Sequence, residues 1–241
     1  MRKVRSFVSV SAILLLLALD SSGQDSLARV AKQHGRYTIS IALEFSKKNR
    51  NPMLRVLSTI AAMEANAHAT GFYVGDGLVM TSYHVVSGKL SAPKKRVLGF
   101  KPDEELEVKV YVNDCPARVV RVDQEADLAL LKICNSKQVL RPTIRTSPSQ
   151  DEPLLLIAQP GERKMMRRGN FSGPYAFGGS EFLAARIDGQ DGFSGSPVYD
   201  DQGGIVGVFS LYDSNRGVAL LSPGTRVQQL LSDYAAAPPQ Q

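Results

Sequence analysis

The sequence predicts an all-β chain, a barrel or sandwich of many short strands in two halves of similar size, with a short helix near each end. Three observations lead there. Short apolar or alternating runs recur along most of the chain, each bounded by turn residues. The 20 glycines and 13 prolines are spread between these runs instead of clustering. The polar, aperiodic segment 141–152 (RPTIRTSPSQDE) separates two sets of runs of similar size. Two barrels joined there leave a cleft between them, and clefts between substructures are where sites form.

The elements follow in order. Arg2, Lys3 and Arg5 precede an apolar stretch from Phe7 to Leu19, and Ser21-Ser22-Gly23 supplies small residues after it. That is the pattern of an export leader cleaved near Gly23. The stretch is short for a bilayer crossing, so no stable membrane insertion is expected once it is removed. The expected organisation is a leader at 1–23 and one folded unit at 24–241, sent to the periplasm or out of the cell. Within it the first barrel takes about 36–140, the connector 141–152 and the second barrel about 153–223.

Residues 24–35 read as a helix with Leu27, Val30 and Ala31 on one side. Residues 37–45 (YTISIALEF) alternate as a strand. Residues 47–52 are loop-like, and Met53 to Ala65 reads as a helix. Strands are then expected at 70–74, 78–82, 106–112, 116–122, 127–133, 153–158, 170–176, 181–187, 196–199, 204–211 and 217–221. A closing helix over 225–234 places Val227, Leu230, Leu231 and Tyr234 at helical spacing.

Cys115 and Cys134 are the two cysteines, and in an exported protein such a pair suggests a disulfide. The runs 116–122 and 127–133 flank a turn at Asp123-Gln124-Glu125-Ala126. A hairpin symmetric about that turn sets Cys115 opposite Cys134, within bonding reach.

The formal charge is +6, and removing the leader takes away three basic residues and Asp20, leaving +4. Basic residues cluster at Lys94-Lys95-Arg96 and at Arg163, Lys164, Arg167 and Arg168, without interleaved aromatic residues. These read as solvated loops, and no nucleic-acid partner is expected. Three scattered histidines and a hairpin cysteine pair make no metal-ligand set. No phosphate-cradling glycine loop is present, so no metal and no cofactor is expected.

Acyl hydrolysis needs a nucleophile, a base to take its proton and a group to orient the base. Of His34, His68 and His84, His84 has the most telling setting. Gly71-Phe72-Tyr73-Val74 leads to Leu78-Val79-Met80-Thr81-Ser82-Tyr83-His84-Val85-Val86. Downstream come Asp127-Leu128-Ala129-Leu130-Leu131-Lys132-Ile133 and then Asp191-Gly192-Phe193-Ser194-Gly195-Ser196-Pro197-Val198, followed by Gly204-Ile205-Val206-Gly207-Val208.

In order and separation these segments resemble the histidine, aspartate and serine motifs of trypsin-like serine proteases, above all the bacterial HtrA/Deg group, over about residues 36–230. The resemblance implies two antiparallel six-stranded barrels and a serine endopeptidase acting on proteins or peptides. It implies His84, Asp127 and Ser194 as the triad and the N–H groups of Gly192 and Ser194 as the oxyanion hole. Asp123 is the rival to Asp127, but it falls in the hairpin turn and is expected to point to solvent. No PDZ-type peptide-binding module is expected after the barrels.

Phe193 stands where digestive members carry Asp, which pairs with a freed N-terminal amine on activation. That route is therefore not expected. Asp188 sits where a carboxylate selects basic P1 residues in some members. Ser210-Leu211-Tyr212 resembles the edge that pairs with substrate backbone. Tyr212 occupies a glycine position of deep-pocket members, and its ring favours small or apolar P1 residues, against Asp188. Two other readings compete. Gly192 to Ser196 nearly fits the α/β-hydrolase elbow, but no histidine follows Ser194, as that fold requires. A catalytically silent, protease-like binding or regulatory protein is the alternative that an intact triad alone does not remove.

Overall fold

The computed structural model describes residues 25–48, 65–134 and 141–236. The expected leader and most of the segment 46–66, with its expected helix, lie outside those residues. A helix over 25–34 (α1) runs through a 3-10 turn at Gly35–Tyr37 into the first barrel. That barrel contains β1 (Thr38–Lys47), β2 (Ala65–Gly75), β3 (Leu78–Ser82), β4 (Leu106–Val112), β5 (Cys115–Asp123) and β6 (Leu128–Lys132). Its strands close in the order β1-β2-β3-β6-β5-β4.

The second barrel contains β7 (Pro153–Ala158), β8 (Met165–Phe177), β9 (Ser180–Ala185), β10 (Pro197–Tyr199), β11 (Ile205–Asp213) and β12 (Val218–Pro223). It closes as β10-β11-β12-β9-β8-β7. Two short helices, α2 (Tyr83–Val86) and α3 (Ala92–Val97), follow β3, and α4 (Gly224–Ala236) follows β12. The expected all-β architecture of two six-stranded antiparallel barrels is the one observed.

Strand periodicity explains how the barrels dock. In β6, Ala129 and Leu131 point into the first barrel, while Leu128 and Leu130 point out of it. In β7, Leu154 and Leu156 point into the second barrel, while Leu155 and Ile157 point out. The outward rows meet Phe72, Met80, Tyr199 and Val208 in a shared layer between the barrels. Leu27 and Val30 of α1 and Val227 and Leu230 of α4 seal its ends. Strands buried on both faces have no polar row, which is why β6 and β7 read as nearly continuous apolar runs.

The connector is tied down by backbone bonds on both sides of Ile205. Arg145 N donates to Ile205 O, and Ile205 N donates to Thr143 O, each at 2.8 Å. Arg145 also pairs with Glu152 at 2.5 Å and Asp200 at 3.0 Å.

Of the local readings that change, three bear on the site. β2 begins at Ala65, well before the expected 70, because Ala65–Phe72 pairs with β1 along its length. The β5–β6 hairpin is not symmetric about its turn. Asp123 pairs with Leu128, and a bulge between Val119 and Arg121 shifts the register so that Arg118 pairs with Lys132. Cys115 therefore does not face Cys134 on a regular ladder, yet the two are disulfide-bonded with Cα atoms 5.9 Å apart. The third change concerns Asp123, which does not face open solvent: its side chain is 16% exposed and paired with Arg226.

Candidate active site

Each candidate side chain is delivered by a different piece of local structure. His84 lies in the single turn α2, straight after the fully buried strand β3. Asp127 ends the β5–β6 turn in a left-handed conformation, φ 54°. Such a φ is unusual without glycine, though Asp is among the residues that tolerate it. It is held on both sides of the peptide: Tyr83 N donates to Asp127 O at 3.0 Å, and His84 N donates to Asp127 Oδ1 at 2.8 Å. Ser194 lies in the loop before β10, between two glycines with positive φ, Gly192 at 85° and Gly195 at 87°.

The three side chains form one hydrogen-bonded row. His84 Nδ1 is 2.7 Å from Asp127 Oδ2, and His84 Nε2 is 2.9 Å from Ser194 Oγ. The Ser210 hydroxyl also donates to Asp127 Oδ2. The Asp127 side chain is 14% exposed, that of His84 41%. Burial pushes the Asp127 carboxyl up, but the bonds and charge of His84 and the bond from Ser210 outweigh it and hold the pKa below the ordinary carboxylate value. With Nδ1–H given to Asp127, the lone pair of Nε2 faces Ser194.

The Ser194 loop is clasped by Thr70 of β2, a residue that sequence reasoning did not single out. Thr70 N donates to Ser194 O at 3.1 Å, and Thr70 Oγ1 donates to Gly192 O at 2.8 Å. Gly195 N in turn donates to Phe209 O at 2.8 Å. Fixing the Gly192 carbonyl on Thr70 fixes the peptide planes around Ser194. Phe193 is fully buried in the second barrel, edge-on to Phe209 at 6.2 Å, with Arg167 over its ring.

A cleft of about 740 Å³ between the barrels is lined by His84, Asp127 and Ser194, by Phe177 and Phe182, and by Ser210, Leu211 and Tyr212. Beyond Val208, β11 pairs with β12 on one edge only, so Ser210–Tyr212 presents a free strand edge to the cleft. Tyr212 packs on Gly189: a Cβ added to Gly189 would lie 2.6 Å from Tyr212 Cβ. Asp188 is exposed and is not among the residues lining the cleft. Among the described residues no group of side chains could hold a metal ion, and no helix is long and apolar enough to cross a membrane.

Comparison with known proteins agrees with this architecture. Protease Do-like 2, chloroplastic, of Arabidopsis thaliana is 28% identical over 178 residues, covering 68% of this chain and 28% of that protein. Glutamyl endopeptidase of Staphylococcus epidermidis is 23% identical over 154 residues, covering 58% of this chain and 52% of that protein. The chain thus spans about half or less of the curated relatives it matches. A crystal structure of Rv3671c from M. tuberculosis H37Rv, an inactive serine-to-alanine mutant, superposes with a TM-score of 0.56 at 18% identity. It covers 88% of this chain and 93% of that one, which establishes a shared fold. The family description "Trypsin-like peptidase domain" matches residues 69–208, a span that takes in His84, Asp127 and Ser194 and more than half of the chain. With its paired barrels and the cleft between them, the chain belongs to the trypsin-like peptidase family.

Proposed function

We propose that the chain is a serine endopeptidase that hydrolyses protein or peptide substrates through Ser194, His84 and Asp127. The observation that carries this is the hydrogen-bonded row from Asp127 through His84 to Ser194. Ser194 Oγ attacks the scissile carbonyl while His84 Nε2 takes its proton. Asp127 keeps the imidazole tautomer and stabilises the imidazolium. The oxyanion of the tetrahedral intermediate is received by the N–H groups of Gly192 and Ser194. One such donor contributes about 3–4 kcal/mol in the transition state. The intermediate collapses, the C–N bond breaks and the amine leaves with the proton from His84. Water, activated by the same imidazole, then hydrolyses the acyl-serine ester.

The free edge Ser210–Tyr212 supports binding of the acyl side of the substrate as an added strand. The contact of Tyr212 with Gly189, together with the exposed position of Asp188, supports a shallow pocket for small or apolar P1 residues instead of one for Arg or Lys. Phe193, buried in the barrel, leaves no carboxylate for a new N-terminal amine, so the reading includes no amine-triggered activation. The disulfide and the leader-like sequence at 1–23 support an exported protein, periplasmic or extracellular.

A fluorophosphonate probe and a diverse peptide library test the reading. The wild type should be labelled at Ser194 and should cleave peptides, and Ser194→Ala should do neither. A well-folded wild type that takes no label would sink it.

A further inference from the structure

On the side of Ser194 away from the Ser210–Tyr212 edge, a second cavity of about 320 Å³ opens into the site. Its walls are Leu43, Phe45, Ala69 and Val85, with Leu90 and Leu98 at its rim. His84, Gly192 and Ser194 line its inner end, so cavity and cleft meet at the reacting atoms. Leu43, Phe45, Ala69 and Val85 are at most 6% exposed and belong to the core of the first barrel. The floor of the cavity is therefore the barrel core itself, and it cannot turn polar without unpacking the barrel.

The cavity and the cleft share His84 and Ser194, so for a peptide whose acyl side lies along Ser210–Tyr212 the cavity is the apolar recess within reach of the leaving-group side. Apolar surface that cannot rearrange gains most when an apolar group displaces its water. A charged side chain there would lose hydration with nothing on these walls to replace it. Lys94 and Asp191, 3.6 Å apart and both well exposed, bridge the barrels where cavity and cleft join; with the exposed His68 they form the polar rim of a recess whose floor is apolar.

We propose that this cavity is a leaving-group subsite that selects a bulky apolar side chain, such as Leu or Phe, at P1′ or P2′. This rests on the serine-peptidase reading and adds to it the class of bond cleaved: one followed by an apolar residue. The acyl-side pocket, narrowed by Tyr212, then leaves much of the selectivity to the leaving-group side.

The test uses internally quenched peptides identical from P4 to P1, with Leu, Phe, Ala, Asp or Lys at P1′ and P2′. The full chain should favour Leu or Phe over Asp by about tenfold or more in kcat/KM, the scale on which small changes of fit in an apolar pocket discriminate. In Leu98→Asp that ratio should fall towards one. Leu90→Asp, on the same rim, is a second variant in case the first fails to fold. Fluorophosphonate labelling of Ser194 is followed in parallel. A labelled, peptide-cleaving wild type with a flat profile overturns the subsite, whether the cavity stays empty or holds another part of the chain or a second copy. So does a ratio that persists in either folded variant. Loss of labelling in the wild type removes the serine-peptidase reading, and the subsite with it.

Discussion

Arg226 and Asp123 join the C-terminal helix to the first barrel. The guanidinium on α4 donates twice to the carboxylate of the β5–β6 turn, each bond 2.7 Å long and spanning 103 residues of sequence. Arg226 also reaches Glu125 at 3.1 Å, and Ala126 N donates to Asp123 Oδ1 at 3.0 Å. The same turn ends in Asp127. The C-terminal helix thus braces the turn that carries the carboxylate of the site. Arg226→Ala leaves Asp123 half-buried without its partner. It should cost about 2 kcal/mol, between an exposed and a buried pair, read by urea denaturation. It should also lower kcat more than it raises KM, and Arg226→Lys should recover part of both.

Acid should weaken the fold in two stages. Burial, and then the charge of Arg36, push the pKa of His34 below its ordinary 6.5. The unfolded chain therefore takes up that proton first, and the stability linked to neutral His34 is lost as pH falls below about 6.5. For Asp123 and Asp127, burial raises the pKa, but Arg226 and His84 respectively outweigh it and hold both below 3.8. Their contribution is present above the unfolded value and is lost as pH falls through the lower folded values. A melting-temperature profile from pH 8 to pH 3 should show both limbs. His34→Gln should flatten the limb that begins as pH falls below about 6.5, and an unchanged upper limb in that variant would contradict the assignment.

The two glycines around Ser194 should fail differently. A Cβ on Gly195 would lie 2.1 Å from Thr70 O and 2.2 Å from Thr81 Oγ1, backbone and side chain that already bond each other. Gly195→Ala should be poorly folded, with a loss of about 3 kcal/mol or more. At Gly192 the nearest obstacle is the Pro160 ring at 2.5 Å. Gly192→Ala should stay folded and lose about 100-fold in kcat as its N–H is turned aside. Circular dichroism with steady-state kinetics separates the two outcomes.

Tyr212→Gly should open the acyl-side pocket. Its ring lies against Gly189, so removing it deepens the slot. The preference for Phe over Ala at P1 should rise by about tenfold. Asp188→Ala, at an exposed position outside the cleft lining, should leave the P1 profile as it was. A library screened with all three proteins decides between the two residues.

The strands legible in the sequence were those whose own residues carry the reason for burial. Leu128–Lys132 and Pro153–Ala158 are apolar on both faces because each stands between a barrel core and the layer shared by the barrels. Ala65–Ala69 has no such pattern, and its extension comes from pairing with Ile41–Phe45. The motifs around His84, Asp127 and Ser194 pointed to side chains that the fold brings together. Asp123 was misread because its partner is 103 residues away, and nothing local distinguishes a turn aspartate facing water from one facing Arg226. Thr70 was passed over for a similar reason: its hydroxyl and N–H meet a loop more than 120 residues downstream. The apolar floor of the leaving-group cavity comes from β1, β2 and the segment after β3, and Leu43, Phe45, Leu90 and Leu98 there carry no motif.

The division of the site between the barrels has a consequence for the order in which a chain is made. His84 and Asp127 are complete with the first barrel, but the Ser194 hydroxyl arrives 110 residues after His84, and the helix bearing Arg226 comes later still. On the proposed serine-peptidase reading, a chain emerging from its amino end carries a base and its orienting carboxylate with no nucleophile beside them. The row from Asp127 through His84 to Ser194 therefore forms only when the second barrel docks on the first.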